Sequence, residues 1–324
     1  MSNLVDSFEL DNAEMRQAYC DALIEEAKRN PKLIVLDADV SHSVGTGRFY
    51  DAFPDRAINC GIMEAHAIGL AAGMSETGLV PFFHAFGVFA TRRVFDQIFI
   101  SCAYQNLNVK IIGADPGVTA QTNGGTHMPF EDLGLMRLIP KATIVEPADS
   151  TMYASVVHAM AENYGVFYLR TSRRKTVRLY KPGTEFTVGK AMRLFDGRDV
   201  CIIACGIMVY EAIRARDILK AHGIDAGVID MHTIKPLDEA AVLEAAARCG
   251  AIVTAENHNM VGGLGSAVCE LIAGKYPVPV ERIGVDESFG EVGTQQYLQQ
   301  RFGLTGEEIA RKAMIAIERK GAKR

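Results

Sequence analysis

Short runs of consecutive apolar residues recur along the whole chain, bounded by turn-forming residues and spaced by helix-length stretches. Residues 32–37, 80–83, 109–113, 142–146 and 166–170 each read as a strand. Such runs are apolar throughout rather than alternating, the pattern of strands in a parallel sheet covered on both faces. Residues 64–75, 91–103 and 150–163 between them are predicted helices. An earlier helix is expected to start at Asp11, with Glu14 completing a capping box. Residues 171–190 interrupt the rhythm with charge, Pro182 and Gly183, and read as a connection containing one or two short edge strands. Alternation then resumes, with strands at 199–204, 226–231, 251–256 and 278–283 and helices at 208–222, 238–248 and 263–273. A last helix is predicted from Thr305, with Glu308 as its box partner. The expectation is an α/β chain of two domains in series, 1–187 and 188–324, each a mostly parallel sheet flanked by helices.

Composition narrows the functional classes. The 324 residues are 48% hydrophobic and 23% charged with a net charge of -5, ordinary for a globular protein with two cores. No basic stripe suggests a nucleic-acid partner. No apolar run reaches the roughly 18 residues of a membrane span, and the first residues lack a signal-peptide pattern, so the cytoplasm is the expected location. Seven cysteines without a CxxC pair favour neither a disulfide framework nor a zinc site in this chain.

In open parallel sheets, ligands bind beyond the carboxyl ends of the strands, so chemistry is sought just after each strand. Asp37 to Ser41 form a polar turn there, which by itself also suits a helix cap. Glu64 starts a helix of small apolar residues expected to be buried nearly all round. The helix dipole favours a carboxylate at that position, but no Lys or Arg lies at helical spacing to pair it, which invites an external partner. Phe82, Phe83, Phe86 and Phe89 could be core or a wall for a flat heteroaromatic ring. Asp115 to Met128 form a loop too long for a tight connection and contain Asn123 and His127. Arg170 and Arg173 follow the next strand, where they could hold an anion or form a solvated turn. The Gly262–Val268 stretch imitates a dinucleotide fingerprint but lacks its third glycine.

These clusters, in this order, together with the later segments IDMHTIKPLD and ENHNMVGGLGSAV, resemble the transketolase family of thiamine diphosphate enzymes over nearly the whole chain. The resemblance implies the following roles. Glu64, in GIMEAH, matches the glutamate that hydrogen-bonds N1′ of the cofactor's aminopyrimidine and activates it. Phe86 and Phe89 match the aromatic pair that stacks on that ring. Asp39 and Val40 match residues touching the middle of the cofactor. His127, in Gly-Gly-Thr-His, matches a histidine contacting the donor's oxygens, with a catalytic or substrate-binding role. Arg173, and Arg170 beside it, match the basic position that holds a sugar phosphate.

The Gly-Asp-Gly motif and following Asn that hold Mg²⁺ and the diphosphate in this family do not occur in the sequence. A split enzyme is therefore implied: a partner subunit supplies the diphosphate and metal site, and the two assemble as an α2β2 heterotetramer. Two departures from the family pattern bear on substrate choice. Asn123 stands where an Asp usually reads a substrate hydroxyl, and Asp115 stands where phosphosugar enzymes usually carry a cation. The expected reaction is two-carbon ketol transfer from a ketose to an aldose. The alternatives are a deoxyxylulose phosphate synthase-like or 2-oxo acid dehydrogenase β-like subunit, and a non-catalytic partner, against which Glu64 argues.

Overall fold

The computed structural model describes residues 3–322. It contains two sheets. The first includes β1 (Leu33–Asp37), β2 (Ala57–Asn59), β3 (Val80–Phe86), β4 (Lys110–Ala114), β5 (Thr143–Val145) and β6 (Phe167–Thr171). The second is built from β7 (Met192–Phe195), β8 (Val200–Ala204), β9 (Ala226–Asp230), β11 (Ile252–Asn259) and β12 (Val280–Val285), in the order β12-β11-β8-β9-β7. All pairings within β1–β6 are parallel, and β7 alone in the second sheet is antiparallel. β1, β4, β6, β8 and β9 are buried along their whole length, as runs covered on both faces must be.

The two sheets are not independent. The segment β10 (Thr233–Lys235) leaves the second sheet and adds antiparallel to β5, making the first sheet seven-stranded with order β10-β5-β6-β4-β3-β1-β2. The connection expected to hold edge strands instead forms two isolated bridges, Leu4 with Tyr180 and Leu10 with Val177, so it is pinned by the amino-terminal arm.

Two helices also differ from expectation. The first spans Met15–Arg29 with Glu14 as its cap and Gln17 as box partner. Asp11 lies ahead of the helix, where its carboxylate accepts from the Ala13 N–H at 3.3 Å, from Ser150 and from Arg178. The stretch predicted as one helix at 91–103 is broken. Thr91 leaves helical space at φ -127°, its hydroxyl donates to the Gly87 carbonyl at 2.6 Å, and a π-helix follows at Ile98–Tyr104. At the far end, Thr305 caps Gly306–Gly321 by accepting from the Glu308 N–H.

The register of the first sheet aligns its carboxyl ends. Asn59, Asp37 and His84 are neighbours across β2, β1 and β3, and Phe86, Ala114 and Thr171 are neighbours across β3, β4 and β6. The residues that follow these strands therefore converge on one edge.

Candidate active site

Asp37 ends β1 fully buried and anchors the turn after it. One oxygen accepts from the Val40 N–H at 2.5 Å and the other from the Thr46 hydroxyl at 3.1 Å. Burial pushes the Asp37 carboxyl up to about 6. The turn it braces presents Asp39 to solvent at φ 59°, held by the Asn59 amide at 2.9 Å, with Val40 half-buried beside it.

Glu64 is the first residue of the Glu64–Glu76 helix, and its side chain is 5% exposed. The structure corrects two expectations here. The carboxylate has a partner within the chain: Arg93 donates to it at 2.7 Å from 29 residues away, which a search at helical spacing could not find. The helix is also not buried all round. Ala65, His66, Gly69 and Gly73 are exposed, and Ile62 and Met63 just before it are 71% and 57% exposed. A small apolar face therefore stands open beside Glu64.

Phe86 and Phe89 lie edge to face with centroids 6.3 Å apart. The His127 ring packs edge-on against both, at 5.5 and 5.1 Å, and its Nδ1 is 2.9 Å from the Thr126 hydroxyl. The Arg93 guanidinium lies 3.8 Å from the Phe89 centroid. Glu64, Phe86, Phe89 and His127 thus form one contiguous patch, joined by Arg93. Burial, with the positive charges of Arg173 and Arg93, holds His127 below the usual histidine range and so disfavours its protonated form. Asn123 is half-buried on the same loop, at the end of the Gly117–Asn123 stretch.

The second domain shapes this loop. Buried Asn257 accepts from the Val118 N–H and donates to the Pro116 carbonyl, both at 2.9 Å. Gly117 has φ 51°, and a Cβ there would come within 2.1 Å of the Asn257 amide oxygen, so only glycine fits. A Cβ on Gly125 would lie 2.3 Å from the Gly290 carbonyl, so the loop after β12 presses directly on the His127 loop.

The two arginines separate. Arg170 is not positioned for substrate: it is 1% exposed, forked onto Asp132 at 2.8 and 2.9 Å, and bonded to Glu146 at 2.9 Å and to the Asn257 carbonyl at 3.1 Å. It is a strut between the domains, and its charge is spent on two buried carboxylates. Arg173 remains at the site. It pairs with buried Asp115, and its guanidinium lies 5.3 Å from the Phe86 centroid. It also borders a recess of about 410 Å³ whose lining includes Arg16, Arg174, Lys175, Gln121 and Glu14. Burial raises the Asp115 carboxyl against the pull of Arg173.

The edge fits one end of a thiamine-type cofactor: a shielded carboxylate beside two aromatic faces suits an aminopyrimidine. It offers no carboxylate cluster for the metal. Among the described residues, the one group able to gather a cation is Glu26, His158 and Glu162. It lies on two helices that end just before β1 and β6, at the opposite edge of the sheet. The glycine-rich helix start at Leu264 is filled by the chain's own Glu256, which accepts from the Leu264 and Gly265 N–H groups at 2.6 and 2.7 Å, leaving no nest for a dinucleotide. Among the described residues no helix is long and apolar enough to cross a membrane.

Comparison with known proteins agrees with this geometry. Residues 11–177 match the transketolase pyrimidine-binding domain and residues 189–309 the transketolase C-terminal domain. The chain is 47% identical to the 6-deoxy-6-sulfo-D-fructose transketolase subunit of Clostridium sp. (strain MSTE9), over 96% of this chain and 97% of that one. It is 33% identical to an apulose-4-phosphate transketolase subunit of Phocaeicola vulgatus, over 94% of this chain and 97% of that one. A solved split-gene transketolase, described as an inactive β4 tetramer, superposes with a TM-score of 0.88 at 40% identity, covering 96% of this chain and all of that one. The chain belongs to the transketolase family, as a transferase subunit that joins the pyrimidine-binding and C-terminal domains.

Proposed function

We propose that this chain forms the pyrimidine side of a thiamine diphosphate-dependent active site that moves a two-carbon ketol unit from a ketose to an aldose. The observation that carries the reading is the shielded Glu64 carboxylate beside the Phe86–Phe89 pair and His127. When bound, the cofactor supplies a carbon nucleophile and an electron sink for carbon–carbon cleavage. Glu64 holds a proton at the pyrimidine N1′, Phe86 and Phe89 flank the ring, and Asp39 and Val40 border the cofactor's middle. His127 can exchange hydrogen bonds with the oxygens of the donor sugar, and Asn123 reads a hydroxyl beside it.

Mg²⁺ and the diphosphate fall to a partner subunit in the cytoplasm, in an α2β2 assembly. The open apolar face around Ile62, Met63 and Gly69 supports such a partner, because it would otherwise expose large hydrophobic side chains next to the site. The split-gene neighbour, an inactive tetramer of β chains, supports it too.

The recess beside Arg173 favours a substrate with an anionic end. Four cations, Arg16, Arg173, Arg174 and Lys175, line it; Glu14 pairs with Arg16 and Asp115 with Arg173, which leaves the charges of Arg174 and Lys175 without a carboxylate partner among the described residues. Two relatives are named for sugars bearing a sulfonate or a phosphate. The test is reconstitution with a diphosphate-binding chain followed by a screen of ketose donors against aldehydes. Turnover is expected only from the pair, and full activity of this chain alone would refute the divided site.

A further inference from the structure

The partner found for Glu64 matches what the proposed site must bind. Arg93 carries a flat cation that donates an N–H to the Glu64 carboxylate at 2.7 Å while its face lies 3.8 Å from the Phe89 centroid. An aminopyrimidine activated by Glu64 and stacked on the phenylalanine pair would need the same two things: an edge N–H on that carboxylate and an aromatic face. Among the described residues, Arg93 is the only hydrogen-bond partner of the Glu64 side chain. The two ends of the pair differ in exposure. The Glu64 side chain is 5% exposed, so leaving it unpaired carries the desolvation cost of a buried charge. The Arg93 side chain is 45% exposed, and water can take over its charge if it swings away. Its helical context also permits movement, since Arg93 sits in a short turn between the break at Thr91 and the following helix rather than inside a regular helix.

We propose that Arg93 is a stand-in for the cofactor's pyrimidine. It keeps Glu64 paired while the site is empty, and it is displaced when the pyrimidine docks. This rests on the thiamine diphosphate reading above. Because the shielded carboxylate exchanges one planar donor for another, cofactor affinity reflects the difference between two similar interactions rather than the full strength of the new one. His127 lies on the same Phe89 ring, so departure of Arg93 also removes a positive charge that acts on the imidazole.

The test measures equilibrium binding of thiamine diphosphate with Mg²⁺, by calorimetry, to this chain assembled with its diphosphate-binding partner. Arg93→Ala should bind the cofactor about three- to tenfold more tightly than wild type, the scale of one half-exposed charge-assisted contact. Arg93→Lys should stay near wild type, since a lysine still reaches the carboxylate. In a Glu64→Gln background, Arg93→Ala should change affinity little, because the competition is for the charge of Glu64. Unchanged or weaker binding by Arg93→Ala, with wild type binding normally, would overturn the stand-in and leave the cofactor reading intact. A wild-type assembly that binds no thiamine diphosphate would overturn both.

Discussion

Replacing Arg170 with alanine separates a structural arginine from a substrate-binding one. Arg170 is 1% exposed and makes three charge-assisted bonds to Asp132 and Glu146, both buried, and one bond to the Asn257 carbonyl of the second domain. Removing one partner from a buried ion pair typically costs about 3–5 kcal/mol, because the remaining charge is left uncompensated. Here two carboxylates lose their partner and a large side chain leaves a void, so the upper part of that range applies. At about 2–4 °C per kcal/mol for chains of this class, Tm should fall by roughly 10 °C. Urea unfolding followed by circular dichroism gives the free energy directly. Arg198→Ala is the control: its side chain is 85% exposed, its partner Asp225 is half-exposed, and about 0.5 kcal/mol or less is expected. If Arg170→Ala unfolds with wild-type stability but raises KM, Arg170 contacts substrate and the strut argument fails.

Two other substitutions test the site. Arg173→Ala should raise KM for aldehydes carrying a phosphate or sulfonate about tenfold or more, with little effect on neutral ones; an equal effect on both in steady-state assays would make Arg173 structural. Asp37 links stability to pH. Its folded pKa, about 6, lies above the unfolded value of 3.8, so its contribution to stability is complete below 3.8 and is lost as pH rises through 6. Asp37→Asn cannot titrate. Its unfolding free energy relative to wild type should therefore rise by roughly 2–3 kcal/mol between pH 4 and pH 7; a difference independent of pH would show that Asp37 is ionised at no cost.

Most of the fold is visible in the chain because parallel strands covered on both faces leave uninterrupted apolar runs. What escaped detection lacks that signature. β2 is three half-exposed or exposed residues at a sheet edge. β10 is only three residues, two of them buried, recruited across the domain boundary to pair with β5. The break at Thr91 depends on a hydroxyl-to-carbonyl bond rather than on apolar spacing. At the site, Phe86, Phe89 and His127 lie at or beyond the ends of strands legible in the sequence, Glu64 opens a legible helix, and the sheet register brings them together. Arg93 and Asn257 act across 29 and 139 residues, and no local period connects them to Glu64 and Val118. Arg170 misleads for the same reason. Its neighbour Arg173 faces the recess, whereas Arg170 lies within β6 and points into carboxylates contributed by residues 132 and 146.

The role of Glu64 is tested most directly by proton exchange at C2 of bound thiamine diphosphate. In the assembled enzyme, Glu64→Gln should slow hydrogen–deuterium exchange at that carbon by orders of magnitude, read by quenched-flow NMR. The circular dichroism spectrum and Tm should stay close to wild type, since Glu64 is paired only with a half-exposed arginine. Exchange at the wild-type rate in a folded Glu64→Gln assembly would contradict the assignment of Glu64 as the activating carboxylate.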